Sequence, residues 1–203
     1  MIEVLTGMGL SAAAGLNAYI PFLVVALAAR FTDIVTLPTN LTWIESGWAI
    51  GIGSVLLLTE IVLDKIPAVD TINDAVQTFI RPTMGGLMVA ATSAAEQADE
   101  STWMADNPWV GVVLGVVVSG LVHAGKLTVR PAVDAGTLGM GTPVVSTAED
   151  SASLGLSLIA ILVPVLVIAA LIMLAIVLIV LVRAMLRWRR RRHRAGGPDV
   201  RVS

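Results

Sequence analysis

Hydrophobic and polar residues alternate along the chain in long blocks, and six of the apolar blocks have the composition of membrane-embedded helices. Roughly 20 apolar residues in an α-helix cross a bilayer core about 30 Å thick. The last block is the clearest, because residues 157–182 contain no ionisable side chain. The predicted segments are 5–29, 49–66, 82–96, 109–125, 135–150 and 152–187, with an amphipathic helix at 70–80 whose cap is expected at Asp70 or Thr71.

Three of the six segments, the first, third and fifth, are rich in Gly, Ala and Ser, which let helices approach closely in lipid. Pro21 is expected to break the first segment, and Asn17 beside that break needs a polar partner. The third segment, which begins at Pro82, and the fifth segment, which contains Pro143, are predicted to be broken or re-entrant. Irregular backbone at membrane depth requires surrounding protein or water. The expected fold is therefore an all-α polytopic membrane protein with five to six crossings.

Basic residues are concentrated at the C-terminal end, where eight of the thirteen Lys and Arg follow residue 182. The positive-inside rule assigns such a cluster to the cytoplasm. We therefore expect a transmembrane domain over residues 1–188 and a basic cytoplasmic tail over 189–203. Arginines at the end of the last span attract anionic lipid headgroups. The residues expected to make these contacts are Arg187, Arg189, Arg190, Arg191, Arg192 and Arg194.

Composition narrows the function classes further. A mean hydropathy of +0.87 with 14% charged residues differs from the roughly 25% charged content of soluble domains. The chain has no cysteine, which excludes thiolate chemistry and thiolate metal sites. Spaced metal-ligand motifs, nucleotide-binding loops and nucleophile elbows are missing from the sequence. We therefore expect no metal, no cofactor, no enzymatic activity and no nucleic-acid partner.

An internal repeat organises the middle of the chain. Residues 67–70 and 131–134 are both Pro-Ala-Val-Asp, and each copy follows an apolar segment that ends near a lysine. A second proline, hydroxyl side chains and a glutamate, Glu96 or Glu149, then follow in both copies. This order predicts two repeated hairpins related by an axis along the membrane normal, an arrangement common among transporters.

Three motifs resemble a known family. They are GLNAYIPF at 15–22, DKIPAVD at 64–70 with the Arg81-Pro82 that follows, and RPAVDAGTLGMGTPVVSTAED at 130–150. They are similar to the bacterial membrane-protein family catalogued as domain of unknown function 4126, and the resemblance covers nearly the whole chain up to the last span. It implies a multi-pass protein of the bacterial cytoplasmic (inner) membrane and carries no established activity. The segment count with the basic tail places both termini in the cytoplasm.

Ionisable residues inside apolar segments are the candidates for chemistry, because a charge at the bilayer centre costs about 2.5–3.5 kcal/mol on insertion scales. Two sets on matching inner turns would form a polar vestibule or, alternatively, hold the turns in place: Lys65, Asp70 and Arg81, and Lys126, Arg130 and Asp134.

Four further candidates lie outside these two sets. Glu60 shares a helix face with Asp64 and is either a proton or cation site or the ion-pair partner of Lys126 or His123. A neutral, hydrogen-bonded state is the expectation for His123. Glu96 and Glu149 are either a paired carboxylate site for a cation or simple helix ends. The complete set of pathway candidates is Asn17, Glu60, Asp64, Lys65, Asp70, Arg81, Glu96, His123, Lys126, Arg130, Asp134 and Glu149, and Asp74 and Asp150 are further ionisable groups beside apolar segments.

These features lead to one main hypothesis and two alternatives. The main hypothesis is a small transporter or channel-like protein with a polar pathway between two repeated hairpins, acting on an ion or a phosphate-bearing solute. The alternatives are a non-transporting membrane scaffold and, more weakly supported, an intramembrane lipid-modifying enzyme that uses Glu60 and His123 as acid and base. The expected partners are the lipid bilayer and, as an open alternative, further copies of the chain.

Overall fold

The computed structural model describes residues 2–92, 107–137 and 140–195, and all its regular elements are helices. A 3₁₀ helix at Thr39–Glu45 precedes the third α-helix. The α-helices are α1 Ile2–Leu16, α2 Tyr19–Phe31, α3 Gly47–Leu63, α4 Pro67–Ala91, α5 Pro108–Thr137, α6 Thr142–Leu162 and α7 Leu166–Ala195.

Three of the described helices are long and apolar enough to cross a membrane by length and composition. The qualifying stretches are Pro108–Thr128 of α5, Thr142–Leu162, which is the whole of α6, and Leu166–Ala184 of α7. A fourth is added if the 3₁₀ helix and α3, which meet at a bend of 59°, form one span. The all-α membrane class is therefore supported at this level, and the predicted count of six crossings is not.

The first apolar segment folds as a helical hairpin rather than as one span. At 1.5 Å per residue, α1 and α2 are only about 22 and 20 Å long. The chain breaks at Asn17, whose Oδ1 accepts hydrogen bonds from the backbone N–H groups of Tyr19 and Ile20. Pro21 lies in the first turn of α2, where its missing N–H is tolerated. The prediction that Pro21 breaks this segment is therefore wrong, because the asparagine side chain ends α1 earlier and starts α2.

This hairpin enters the bundle from one end and turns inside it. Ile2 lines the same cavity as Thr92 and Pro164, which mark the end of α4 and the start of α7. At the other end of α1, Gly15 packs against Val122 of α5. Because α7 runs away from the end where α1 begins, the two ends of the described chain lie at opposite ends of the bundle. The cytoplasmic location of both termini stays a prediction.

Helix α4 corrects the boundary predicted between an amphipathic helix at 70–80 and a broken segment at 82–96. It is one continuous helix that begins at Pro67, not at a cap on Asp70 or Thr71, and passes through Pro82. Side-chain hydroxyls supply further hydrogen bonds around this proline, as is common in membrane helices. The Thr83 hydroxyl donates to the Phe79 carbonyl oxygen at 2.8 Å, and the Ser119 hydroxyl of α5 donates to the Arg81 carbonyl oxygen at 2.7 Å.

In the second half of the chain, helices also continue past the predicted boundaries. Helix α5 continues through Pro131 to Thr137, and α6 is an unbroken helix across most of the predicted broken segment 135–150. The last apolar stretch is interrupted instead, because α6 ends before Pro164 and α7 begins after it. The first Pro-Ala-Val-Asp copy therefore starts a helix, whereas the second lies within one. The repeat in sequence has no counterpart in local structure at these positions.

Small residues bring α1, α4 and α5 into close contact. The Ser11 hydroxyl of α1 donates to the Gly85 carbonyl of α4 at 2.7 Å. A Cβ atom on Gly115 of α5 would lie 2.6 Å from that carbonyl oxygen and 3.0 Å from Ser11 Oγ. Since transmembrane helices associate largely through van der Waals packing, this three-helix contact fixes their separation.

We expect Gly115→Ala to destabilise the protein by about 1–3 kcal/mol, because the added methyl group overpacks the contact with Gly85. The measurement is thermal unfolding of the detergent-solubilised protein. Gly120→Ala on the same helix is the matched control, since its Cβ would meet only Pro82 Cγ at 3.8 Å. Equal melting temperatures for the two variants would contradict this packing model.

Candidate functional site

Seven charged side chains from four helical segments meet in one buried network. Arg81 is 0% exposed and Glu60 is 2% exposed, and the other members are also buried or nearly so. Every member lies within 4 Å of at least one group of opposite charge. The members are Glu60 of α3, Asp64 directly after α3, Asp74 and Arg81 of α4, Lys126 and Arg130 of α5, and Glu149 of α6.

Arg81 connects this network to the turn of the α1–α2 hairpin. Its Nη2 lies 2.7 Å from Glu60 Oε1 and 3.7 Å from Asp64 Oδ2. Its Nη1 donates to the carbonyl oxygen of Gly15, near the end of α1, at 3.4 Å. The guanidinium group therefore holds α1, α3 and α4 together at one point. Glu60 and Asp64 share the predicted helix face, and both contact Arg81.

Lys126 and Arg130 form the second half of the network, one helical turn apart on α5. Lys126 Nζ lies 3.4 Å from Asp64 Oδ2, 3.4 Å from Asp74 Oδ1 and 3.2 Å from Glu149 Oε2. Arg130 Nη2 lies 3.2 Å from Asp64 Oδ2 and 2.9 Å from Glu149 Oε2. Glu149 reaches these two cations because α6 is continuous and begins at that end of the bundle.

Asp64 is the carboxylate that contacts the most cations. Its Oδ2 lies 3.4 Å from Lys126 Nζ, 3.2 Å from Arg130 Nη2 and 3.7 Å from Arg81 Nη2, and nearby cations favour the ionised form of a carboxyl group. Asn73 also donates to Asp64 Oδ1 at 2.6 Å. Asp64 is therefore ionised at neutral pH and acts as the common counter-ion of the three basic side chains.

The contacts of His123 define its protonation state. Arg81 Nη1 lies 3.4 Å from His123 Nδ1, and an arginine can only donate, so Nδ1 carries the lone pair. His123 Nε2 is therefore the protonated nitrogen and donates to Thr78 Oγ1 at 3.1 Å, while Thr78 donates to the Asp74 carbonyl oxygen. The hydrogen bonds agree with the predicted neutral histidine.

Asn17 has the polar partner that its buried position requires. Its Nδ2 donates to Asp150 Oδ1 at 2.9 Å, which joins the hairpin turn to α6. A second contact joins the same helices, since Ser153 Oγ donates to the Ala13 carbonyl oxygen at 3.0 Å. Two hydrogen bonds to α6 thus hold the hairpin turn and the last part of α1 in place.

The predicted grouping of site residues needs correction. Arg81 of the first predicted set joins Lys126 and Arg130 of the second set in a single network through Asp64. The partner of Glu60 is Arg81, not Lys126 or His123, because the continuous helix α4 places Arg81 opposite α3. Lys65 donates to the Ile61 carbonyl oxygen at 3.2 Å and has no described contact with the network.

The remaining predicted residues divide by what the structure describes. Arg187 is exposed on α7, as a headgroup contact requires. Glu96 lies outside the described residues, so its pairing with Glu149 stays a prediction. The described part also excludes the side chains of Asp70, Asp134, Arg189, Arg190, Arg191, Arg192 and Arg194.

Asp74 was recognised as ionisable but was not assigned to the site. It lies 3.4 Å from Lys126 and 3.5 Å from Arg130. Asp74, Thr78 and Arg81 have the spacing i, i+4, i+7 of one helix face. That signal becomes visible only if the helix is continued through Pro82, whereas a boundary at residue 80 separates Arg81 from the other two.

The site carries an electrostatic imbalance. Among the described side chains, four carboxylates face three cationic groups. The described residues include no cluster of three or more His, Asp or Glu with the geometry of a metal site. The arrangement is therefore suited to exchanging ion-pair partners, and to binding a small cation or a proton.

We expect Arg81→Met to destabilise the folded protein by about 3–5 kcal/mol, because it leaves Glu60 buried without its cation. Adding Glu60→Met to this variant should restore part of the loss, since both charges are then removed. Unfolding in detergent with increasing denaturant measures both effects. Arg187→Met, at an exposed position, is the matched control and should change stability little. Additive losses in the double variant would contradict a direct Arg81–Glu60 pair.

Comparison with known proteins gives one match. Neither curated proteins nor solved structures gave a match to this chain. The family model described as domain of unknown function (DUF4126) matches residues 4–184, which include every charged member of the buried network. The motifs that resemble this family in the sequence lie within the matched range. The chain therefore belongs to the DUF4126 family.

Proposed function

We propose that this protein is a small membrane transporter whose polar pathway runs through the buried charge network at the turn of the α1–α2 hairpin. One observation carries the proposal: seven charged side chains are buried or nearly buried together between α3, α4, α5 and α6, and of these helices α5 and α6 are long and apolar enough to cross a membrane. Ionisable residues inside membrane segments are rare, and ion and substrate pathways are among their established roles. The transported species is an ion or a small charged solute.

Stability alone is a poor reason for such a network. Replacing a buried ion pair by apolar residues of similar volume is often neutral or stabilising, because the desolvation cost offsets the Coulomb gain. A network of several carboxylates and basic groups therefore fits a functional requirement better than a structural one. The partners of Arg81, Lys126 and Arg130 can exchange without moving a helix far, because each cation lies near at least two carboxylates.

The hairpin gives a second reason. Transporters commonly bind ions where discontinuous helices end near the middle of the bilayer, since the helix termini carry partial charges and free backbone groups. Here α1 ends and α2 begins beside the network, and the Gly15 carbonyl oxygen near the end of α1 faces Arg81. Two short helices therefore bring backbone polar groups to the buried charges.

The same geometry suggests a topology in the bacterial cytoplasmic membrane. Helices α3 to α7 make five crossings, and α1–α2 is re-entrant from the outer side. The basic end of α7 is cytoplasmic and contacts anionic headgroups. Trp43 and Trp48 stack with centroids 5.9 Å apart at the outer end, as in an interfacial aromatic belt. The N-terminus then lies outside, opposite to the C-terminus.

A membrane scaffold is the second candidate, and the exposure of α7 favours it. Only 6% of the apolar window in α7 is buried, so most of its surface is available to lipid or to a partner helix, including that of a second copy. The lipid-modifying enzyme has less support. Glu60 and His123 contact opposite nitrogens of the Arg81 guanidinium and are both 2% exposed, so they are poorly placed to act on one substrate.

Ion flux into proteoliposomes tests the transport proposal. The probes are H⁺, Na⁺, K⁺, chloride and inorganic phosphate, and the wild-type protein should move at least one of them. Glu60→Gln and Arg81→Ala should lower that flux roughly tenfold or more, since breaking a buried pair costs several kcal/mol and about 1.4 kcal/mol is a factor of ten. Arg187→Ala is the control and should keep it. A folded wild-type protein that moves none of the probes, together with a stoichiometric co-purifying protein, would favour the scaffold.

Cysteine labelling tests the topology, because the chain has no cysteine of its own. We expect Glu3→Cys and Asn40→Cys to react with a membrane-impermeant thiol reagent added outside intact cells. Arg187→Cys should react only after the cells are opened. Glu3→Cys protected in intact cells while Asn40→Cys reacts would overturn the re-entrant hairpin.

A further inference from the structure

The charge balance of the network depends on its protonation state. Fully ionised, the described network carries four negative and three positive charges, which leaves one negative charge without a counter-charge in a buried environment. An uncompensated buried charge is costly because the protein interior solvates it poorly. Binding one proton to one carboxyl group would make the network neutral, with three carboxylates paired to three basic side chains.

The contacts identify Glu60 as the carboxyl group whose negative charge is stabilised by the fewest nearby cations. Glu149 lies within 3.2 Å of both Lys126 and Arg130. Asp64 contacts these two cations and also Arg81. Among the described side chains, in contrast, Glu60 has only Arg81 within ion-pair distance. Each additional nearby cation favours ionisation, so the carboxyl group with a single cation is the first to be protonated.

The second oxygen of Glu60 strengthens this assignment. Oε1 accepts from Arg81 Nη2, whereas Oε2 is buried and has no hydrogen-bond partner among the described residues. Asp74 Oδ1 also lacks a hydrogen bond, but Lys126 Nζ lies 3.4 Å from it. Protonation of Glu60 Oε2 therefore sacrifices less electrostatic attraction than protonation of any other carboxylate oxygen in the described network.

We propose that Glu60 is a proton-binding site and that the coupling ion of the transporter is a proton carried on Glu60 Oε2. This inference rests on the proposed transport function. In the proton-loaded state, Arg81 keeps its bond to Oε1 and takes Asp64 as its counter-ion at 3.7 Å. On release, the O–H bond of the carboxyl group breaks, a water molecule takes the proton, and the resulting carboxylate becomes the counter-ion of Arg81.

The surroundings of Glu60 favour a proton over a metal cation. Arg81 is bound directly to the carboxyl group, and Lys126 also acts on it electrostatically, so a metal ion at Oε2 would meet positive charge on two sides. The other ionisable neighbours are Asp64 on the same helix and Tyr19 of α2. A proton needs no cage of oxygen ligands, unlike a metal ion of the Na⁺ or Ca²⁺ type.

Infrared spectroscopy of the purified full-length protein tests the proton site without a transport assay. At neutral pH, exposed carboxyl groups are ionised, so a protonated carboxyl stretching band reports a buried acid. We expect this band in the wild-type protein, its loss in Glu60→Gln and its retention in Asp150→Asn, which removes a carboxyl group that accepts from Asn17 and lies outside the network. If Glu60→Gln does not fold, Glu60→Asp should shift the band instead of removing it.

The outcomes separate the two proposals. No band in the wild-type protein, or a band that is kept in Glu60→Gln, overturns the proton site. A missing band together with thermal stabilisation by Na⁺ or K⁺ overturns it in favour of a metal cation. A band that requires Glu60 in a protein that moves no probe in proteoliposomes keeps the site and removes transport. Flux that is independent of a pH gradient and of Glu60 removes proton coupling and keeps transport.

Discussion

The guanidinium group of Arg81 connects its own helix, α4, to three others, α1, α3 and α5. It binds Glu60 at the end of α3, the Gly15 carbonyl oxygen near the end of α1 and, more weakly, His123 of α5. A fully buried arginine cannot lose its charge, so the protein must supply counter-charges wherever it lies. The position of Arg81 therefore constrains which helices pack together and where the hairpin can turn.

Close helix packing and buried charge depend on each other here. Gly85, Gly115 and Ser11 allow α1, α4 and α5 to approach closely, which brings Arg81 within reach of α1. Ser119 belongs to both features, because it packs against Gly85 and donates to the Arg81 carbonyl oxygen. A protein with this arrangement keeps a rigid small-residue contact next to ion pairs that can change partners, which suits a site that binds and releases a charge.

Departures from the expected fold share a physical cause. Proline was expected to break the first and third segments at residues 21 and 82, yet the chain stays helical at both. A proline inside a helix removes one hydrogen bond, whereas a broken helix loses its packing against neighbouring helices along the whole element. The helix therefore continues through the proline. Where breaks do occur, at Asn17 and around Pro164, a side-chain acceptor or the start of an exposed helix makes the interruption tolerable.

Sequence by itself determined the all-α membrane class, the family and nearly all of the buried charges, because each depends on composition, local periodicity or motif. It also required a partner for Asn17 and a neutral His123. Tertiary structure alone decided that Arg81 pairs with Glu60, that Glu149 joins Lys126 and Arg130, and that α1–α2 is a hairpin with its start at the opposite end from the tail. These are contacts between residues far apart in the chain, and a pattern of hydrophobic and polar positions specifies which residues are buried but not which of them meet.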